Sequence, residues 1–304
     1  MKTLASNTRR DSRFLASATA DRRDAALGAL ADMLEERTSA ILDANRADLD
    51  AAARDGLSAH LLARLKLTDG KLMGLAEGLR QLVGQGDPLG RPLRKTELDD
   101  GLMLTQVTSP LGVLLVIFES RPDAVIQIGG LALRTGNGLI LKGGKEAKHS
   151  NAILVACIQD ALEQAGLPRC AVVGVEGREA VAELLDCEHD IDLVIPRGSA
   201  ELVRTIQQTS RIPVMGHADG ICHTYIDAAA DPRMATAVTI DGKCDYPSAC
   251  NATESLLVHA AFLPHLRELG EALAAEGVVM LADARASAHL SQAKAAEPLS
   301  LIHI

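Results

Sequence analysis

The sequence predicts an α/β protein built on a parallel sheet wound in βαβ units. From about residue 110 onward, short apolar runs alternate with single segments of helical periodicity, which is the pattern of such a sheet. The chain has 304 residues, of which 47% are hydrophobic but only 2% aromatic, so the core is expected to be aliphatic. This length predicts two domains or one large α/β unit.

The residues before position 84 predict helices that pack on one side. Apolar residues at Leu27, Leu30, Met33 and Leu34 recur at helical spacing, with charged residues on the opposite face. Similar segments follow at 39–53 and after Thr68, and we interpret all of them as scaffold. Glycine and proline then mark 84–94 as a connector.

The remaining elements are predicted from apolar runs and helical periodicity. The predicted strands are 111–118, 139–142, 171–175, 193–195, 212–215, 223–226, 254–259 and 277–281. The predicted helices are 150–164, 179–185, 200–208, 232–240, 262–276 and a segment from 284 onward. We place one domain at 1–226, with a hairpin excursion at 95–110, and a second at 227–304. The last βαβ unit lacks a closing strand, so the chain is expected to stop inside a domain.

Composition excludes several classes of partner. The formal charge of −9 argues against a general nucleic-acid binder, which needs a basic face, and scarce aromatic residues argue against base stacking. The N-terminus has no apolar signal region, and no apolar run approaches the roughly 18 residues of a membrane span. A small-molecule substrate is the expected partner, with no nucleic acid and no membrane.

Cysteine usage predicts a reduced, cytoplasmic protein with free thiols. The six cysteines show neither a CxxC pair nor regular spacing, so neither a disulfide framework nor a zinc ribbon is indicated. Cys157, Cys170 and Cys187 lie in or beside predicted helices and strands, and we expect them in the core.

Two turns at predicted strand ends favour a dinucleotide site. Glycines after the strand 139–142 allow a phosphate or ribose to approach the backbone, and flanking lysines add positive charge. The turn after 193–195 places free N–H groups and the positive end of a helix dipole at the same edge. The alternative for the first turn is an ordinary connection with solvated lysines. The residues concerned are Lys142, Gly143, Gly144, Lys145, Pro196, Arg197, Gly198 and Ser199.

Polar residues follow the longest apolar strand abruptly. Glu119, Ser120 and Arg121 stand where α/β enzymes place working groups. Arg121 is suited to clamp a carboxylate or phosphate, and Ser120 to donate a hydrogen bond to an oxyanion. The alternative is a helix start at Pro122 with a solvated arginine.

Cys250 is the leading candidate for a nucleophile. It follows a proline-containing loop and precedes a predicted strand, and its thiolate would attack a carbonyl carbon. Cys244 is a rival, and a disulfide between the two is a further alternative. Taken alone, either cysteine also fits a small buried hydrophobe.

The segment from His217 to His223 presents possible metal ligands. His217, Asp219, Cys222 and His223 all have suitable side chains, but neighbouring side chains point to opposite faces of a strand. We therefore predict no metal, and interpret the segment as a polar turn near substrate.

Together these segments resemble the gamma-glutamyl phosphate reductase family of the aldehyde dehydrogenase superfamily. The resemblance runs from about residue 5 to about residue 290 in the family's order and spacing. Its blocks are 109–122, 133–147, 195–198, 212–223 and 246–258.

The resemblance implies an aldehyde dehydrogenase-like fold, with a parallel Rossmann-type cofactor domain and a second α/β catalytic domain that is incomplete here. It implies NADPH-dependent reduction of L-glutamyl 5-phosphate to L-glutamate 5-semialdehyde, the second step of proline biosynthesis. NADP(H) is the implied cofactor. It also implies a homo-oligomer at full length, association with glutamate 5-kinase, and a chain that continues past residue 304. A chain ending there is expected to be weakly active and poorly soluble.

The family's residue roles carry over by position. Cys250 takes the place of the catalytic cysteine that forms a thioester, and its backbone N–H with either Ser120 or Asn251 stabilises the oxyanions. Beyond these carried-over roles, we predict that Arg121 holds phosphate or the α-carboxylate, with Glu119 and His217 as further substrate-binding residues. The cofactor positions fall on 142–145 and 196–199.

One departure separates the chain from hydrolytic relatives. Those enzymes carry a Glu-Leu-Gly-Gly segment whose glutamate activates water, whereas the matching residues here, 215–220, contain none. This favours a reductase, with Asp219 or His217 as alternative groups for activating water. The competing interpretations are a hydrolytic aldehyde dehydrogenase and a non-catalytic NADP-binding fragment.

Overall fold

The computed structural model describes residues 1–216, 220–247, 249 and 251–296. The chain divides into two compact units, Met1–Ala218 and Asp219–Ile304. The division falls before the predicted boundary at residue 226, because the strand Cys222–Ile226 pairs with a strand of the second unit.

The helices are α1 Lys2–Ala16, α2 Ala20–Glu36, α3 Thr38–Arg54, α4 Ala59–Leu65, α5 Asp69–Gly84, α6 Asp123–Arg134, α7 Lys148–Gln164, α8 Arg178–Leu185, α9 Ala200–Thr209, α10 Pro232–Cys244, α11 Leu266–Ala275 and α12 Ala284–Ser287. The strands are β1 Pro92–Asp99, β2 Leu102–Val107, β3 Val113–Phe118, β4 Gly138–Lys142, β5 Val172–Val175, β6 Leu193–Arg197, β7 Cys222–Ile226, β8 Thr253–Val258, β9 Leu281–Ala282 and β10 Lys294–Ala295.

A four-stranded parallel sheet organises the first unit, which confirms the predicted fold class. Its order is β5-β4-β3-β6. The chain builds β3, β4 and β5 in one direction and then returns to place β6 on the other side of β3. The strand order therefore reverses between β3 and β6, where open α/β sheets leave a crevice at the carboxyl ends of the strands.

Strand β3 is buried on both faces, as its unbroken apolar run predicts. Leu114, Val116 and Phe118 belong to a core packed with α2, α5, α6 and α7. Their alternating neighbours 113, 115 and 117 belong to a second core that includes residues of α1, α8 and α9. This period of two makes the unit a layered structure with helices on both faces of the sheet.

The N-terminal helices carry a buried polar network that the scaffold interpretation misses. Asp48 of α3, which is 2% exposed, accepts hydrogen bonds from Ser150 N at 2.8 Å, Ser150 Oγ at 2.6 Å and His149 N at 3.0 Å. Asn45, one turn earlier, donates to Ser150 Oγ and Leu65 O and accepts from Leu67 N. Asp48 thereby caps α7, whose own preceding residue offers no side-chain cap.

An exposed two-stranded ribbon, formed by β1 and β2, connects α5 to β3. Strands β1 and β2 pair antiparallel, and large apolar side chains on them face solvent. Leu93, Leu102 and Met103 are examples. The ribbon occupies the region where the sequence predicts a hairpin excursion.

Two predictions for the first unit are corrected, and the prediction for two buried cysteines is confirmed. The predicted strand 212–215 is a single parallel bridge from Val214 to Val194, since only that position reaches β6. The prediction of a buried Cys170 is wrong: it is exposed in a 3-10 turn, Arg169–Ala171, before β5. Cys157 and Cys187 are buried as predicted.

The second unit has its own small core. Strands β7 and β8 are parallel, and Ile226 packs with Phe262, Leu266 and Leu269. The predicted strand 277–281 shrinks to β9, and the predicted helix from 284 onward shrinks to α12. Strand β10 follows and pairs parallel with β9, so this small βαβ unit does have a closing strand.

The described helices include none that combines the length and apolar character of a membrane span.

Candidate active site

The carboxyl edge of the parallel sheet brings three predicted turns together. Ile117 of β3 pairs with Lys142 of β4, and Phe118 pairs with Arg197 of β6. The residues after these positions therefore share one rim. The reversal of strand order between β3 and β6 makes this rim the expected ligand crevice of the first unit.

Ser120 follows β3 in a left-handed backbone conformation. Its φ is +46°, and among the described residues it is the one non-glycine residue with positive φ. Its side chain is buried, and both its backbone N–H and its hydroxyl donate to Glu146 Oε1, at 2.6 Å and 2.7 Å. A strained, doubly anchored residue at a strand end is typical of a functional site.

Glu146 is a site residue that the sequence reasoning missed. It lies in the 3-10 turn Lys145–Ala147 between β4 and α7. Partial burial raises the pKa of Glu146, but the hydrogen bonds from Ser120 and the charge of Lys142 outweigh it, so the pKa lies below its ordinary value. The side chain is therefore an ionised acceptor on the rim at neutral pH.

The two glycines after β4 are surrounded by side chains of the chain itself. A Cβ built on Gly143 would collide with the amide of Asn151, and one on Gly144 would collide with the Glu146 carboxylate. Lys142 is half-buried and Lys145 is exposed. The glycines thus make room for Asn151 and Glu146.

The turn after β6 leads into α9. Pro196 is buried, and Arg197, Gly198 and Ser199 are exposed. Ser199 caps the helix by accepting from Leu202 N at 3.3 Å. The N–H groups of this first turn and two cationic side chains nearby in the sheet, Arg197 and Lys142, suit an anion.

Glu119 extends from the end of β3 toward this helix start. A Cβ built on Gly198 would lie 2.7 Å from Glu119 Oε2, so the carboxylate rests against that glycine. Its negative charge therefore occupies the region in which a phosphate would meet the α9 N-terminus.

We expect Glu119→Gln to bind a phosphate-bearing ligand at the α9 N-terminus, tested with the dinucleotide NADPH, more tightly than wild type. Removing a carboxylate near the helix N-terminus relieves repulsion of a phosphate, and the dissociation constant should fall about two- to fivefold. Fluorescence titration with NADPH measures it. Glu36→Gln, an exposed change at the end of α2, serves as the charge-matched control. A weaker Glu119→Gln complex would contradict this role.

Arg121 lies on the same rim at the start of α6. Its guanidinium is about half exposed, and its NH2 group donates to Asp123 Oδ2 at 2.8 Å. Glu119, Ser120 and Arg121 are consecutive, and Glu146 accepts a hydrogen bond from the middle one, Ser120.

The predicted groups in and next to the second unit are only partly described. Cys250, His217 and Asp219 lie outside the described residues. Asn251 is exposed just before β8, and Cys244 is a half-buried free thiol at the end of α10. Burial raises the pKa of both the Cys157 and the Cys187 thiol, which makes these two poor nucleophiles.

Comparison with known proteins agrees with this architecture. Residues 2–296 match the aldehyde dehydrogenase family. A gamma-glutamyl phosphate reductase of Pelotomaculum thermopropionicum is 46% identical over 98% of this chain. The crystal structure of the Thermotoga maritima gamma-glutamyl phosphate reductase aligns over 97% of this chain with a TM-score of 0.92 and 31% identity. The chain belongs to the gamma-glutamyl phosphate reductases of the aldehyde dehydrogenase family.

The relatives are longer than this chain. It spans 69% of the Pelotomaculum protein and 72% of the Thermotoga chain. It spans 40% of delta-1-pyrroline-5-carboxylate synthase A of Arabidopsis thaliana, to which it is 48% identical.

The sequence predicted the turns of the rim, but it did not predict the hydrogen bonds that hold these turns in place. Glycines, lysines and a Gly-Ser pair at strand ends are signals that sequence patterns carry. Glu146 carries no such sequence signal, because charged residues are common in a turn that precedes a helix. Its link to Ser120, 26 residues away, exists only in the fold.

Proposed function

We propose that this protein reduces L-glutamyl 5-phosphate to L-glutamate 5-semialdehyde and releases phosphate, using NADPH. The observation that carries the proposal is the match to gamma-glutamyl phosphate reductases over nearly the whole chain, which includes all three rim turns. The reaction belongs to proline biosynthesis, and cytoplasm is the proposed location.

The residues of the rim fit a nicotinamide dinucleotide. Lys142, Lys145 and Arg197 supply positive charge for phosphates, and the first turn of α9 supplies free N–H groups. Three cations at one edge also suit the additional 2′-phosphate of NADP, which is why we propose NADP(H). We assign the first unit to cofactor binding and the second unit, which begins at Asp219 rather than at the predicted residue 227, to the catalytic domain.

Cys250 is the proposed nucleophile. Its thiolate attacks the acyl carbon, the bond from carbon to the phosphate oxygen breaks, and phosphate leaves with a thioester in its place. When bound, the nicotinamide supplies the hydride that converts this thioester to the aldehyde, and the cysteine departs as thiolate. An acyl phosphate is already activated, so its departure needs no strong general base.

The other proposed residues bind and orient the substrate. Arg121 holds the phosphate or the α-carboxylate, with Glu119 and His217 nearby in the sequence blocks of the family. The oxyanions are stabilised by the backbone N–H of Cys250 and a side-chain donor. A homo-oligomer and association with glutamate 5-kinase are proposed as further properties of the full-length protein.

The reverse reaction tests the function. With glutamate 5-semialdehyde and NADP, we expect NADPH to appear only when inorganic phosphate is present, and hydroxylamine to trap the acyl product as a hydroxamate. Free glutamate formed without phosphate would instead identify a hydrolytic aldehyde dehydrogenase. NADPH binding without any turnover would identify a non-catalytic nucleotide-binding protein.

A further inference from the structure

The turn that follows β3 is held by contacts from outside its own segment. Ser120 has a φ of +46°, a conformation that side-chain-bearing residues rarely adopt without support. Both of its hydrogen-bond donors, the backbone N–H and the hydroxyl, point to the same atom, Glu146 Oε1. One carboxylate oxygen therefore accepts both of the hydrogen bonds that Ser120 donates in the part of the chain that the structure describes.

The surroundings keep Glu146 in the form that accepts both bonds. The Lys142 charge and the Ser120 donors hold its pKa below the ordinary value in spite of its partial burial. A carboxylate that accepts two bonds at 2.6 Å and 2.7 Å is a stronger anchor than a neutral acceptor.

Gly144 completes the arrangement. Its φ of −64° and ψ of 149° are open to any residue, so its backbone does not call for glycine. A Cβ there would nevertheless overlap the Glu146 carboxylate and lie 2.5 Å from its Cδ. Glycine at this position therefore keeps space for the Glu146 side chain.

We propose that Glu146 is a positioning residue that acts through Ser120 to fix the turn carrying Glu119 and Arg121. This inference rests on the proposed function, because those two side chains matter as substrate-binding groups. A hydroxyl has one hydrogen to donate, and that of Ser120 goes to Glu146 in this structure.

The test compares four variants of the protein. Glu146→Ala removes the anchor, Glu146→Gln keeps an acceptor oxygen, Gly144→Ala displaces the carboxylate sterically, and Ser120→Ala removes one of the two bonds. The readouts are amide hydrogen exchange at Ser120, the dissociation constant of NADPH, and kcat of phosphate-dependent semialdehyde oxidation.

In Glu146→Ala we expect exchange at Ser120 to accelerate about tenfold or more. We expect kcat to fall by about 10- to 100-fold, as for a misplaced reacting group. The dissociation constant of NADPH should change much less, by at most about fivefold, the range set for Glu119 beside the α9 N-terminus. Gly144→Ala should reproduce the faster exchange. Glu146→Gln keeps an acceptor oxygen without the charge and should restore most, though not all, of the exchange protection and of kcat. Ser120→Ala should lose less than about tenfold in kcat, because its backbone bond to Glu146 remains.

Three results would overturn the proposal. Unchanged exchange at Ser120 in Glu146→Ala would show that the carboxylate does not hold it. Failure of Glu146→Gln to restore kcat would assign the effect to charge, and a loss of about 100-fold or more in Ser120→Ala would mark Ser120 as an oxyanion donor. If Glu146→Ala does not fold, Gly144→Ala decides the exchange result. If wild type shows no phosphate-dependent turnover, the proposed function fails, while exchange still reports whether Glu146 holds Ser120.

Discussion

Cys250→Ser is expected to lower turnover by more than about 10⁴-fold while leaving NADPH binding intact. A serine hydroxyl is a far weaker nucleophile than a thiolate at neutral pH, and no thioester forms without the sulfur. Steady-state assay of phosphate-dependent semialdehyde oxidation measures the loss. NADPH titration of the same sample shows whether the nucleotide site persists.

Cys244→Ser is the matched control for this experiment. Cys244 is a half-buried free thiol at the end of α10, close to Cys250 in sequence. We expect its replacement to keep most of the activity. If Cys250→Ser remains active and Cys244→Ser does not, the nucleophile is Cys244.

Asp48→Ala is expected to lower the free energy of unfolding by roughly 3 kcal/mol. The change removes the acceptor of three hydrogen bonds and leaves the Ser150 N–H and hydroxyl buried without it. Ser150 is fully buried, so water cannot replace the lost partner. Urea unfolding followed by circular dichroism measures the difference.

Asp43→Ala provides the comparison on the same helix. Asp43 is mostly exposed and pairs with Arg46 one turn away. Exposed pairs of this kind contribute little, so the change should stay within about 0.5 kcal/mol. Equal destabilisation by the two variants would contradict the capping role of Asp48.

Sequence patterns predicted those parts of the fold that depend on residues close together in the chain. An unbroken apolar run predicts β3, and glycine- and lysine-bearing turns predict the rim because they follow strand ends. The strands predicted at 212–215 and 277–281 shrank, since a strand needs a neighbour to pair with, and only part of each segment has one.

Residues whose partners are distant in the chain were not predictable. Asp48 lies in a segment whose charged residues are typical of a solvated helix face. It nevertheless caps α7 by accepting a hydrogen bond from Ser150, 102 positions later. Cys170 was expected inside because it begins an apolar run, but the 3-10 turn before β5 directs it outward. Charge alone does not distinguish a solvated carboxylate from one that anchors another segment.

The alternation of β3 side chains between two hydrophobic cores ties the first unit into a single cooperative body. Neither core can loosen without releasing one half of that strand's side chains. Glu119 and Ser120 directly follow this strand, so the backbone just before them is held by side chains packed on both faces of the sheet. Because close-packed interiors transmit strain, we expect a cavity opened in either core to shift the β3 backbone and the rim that follows it.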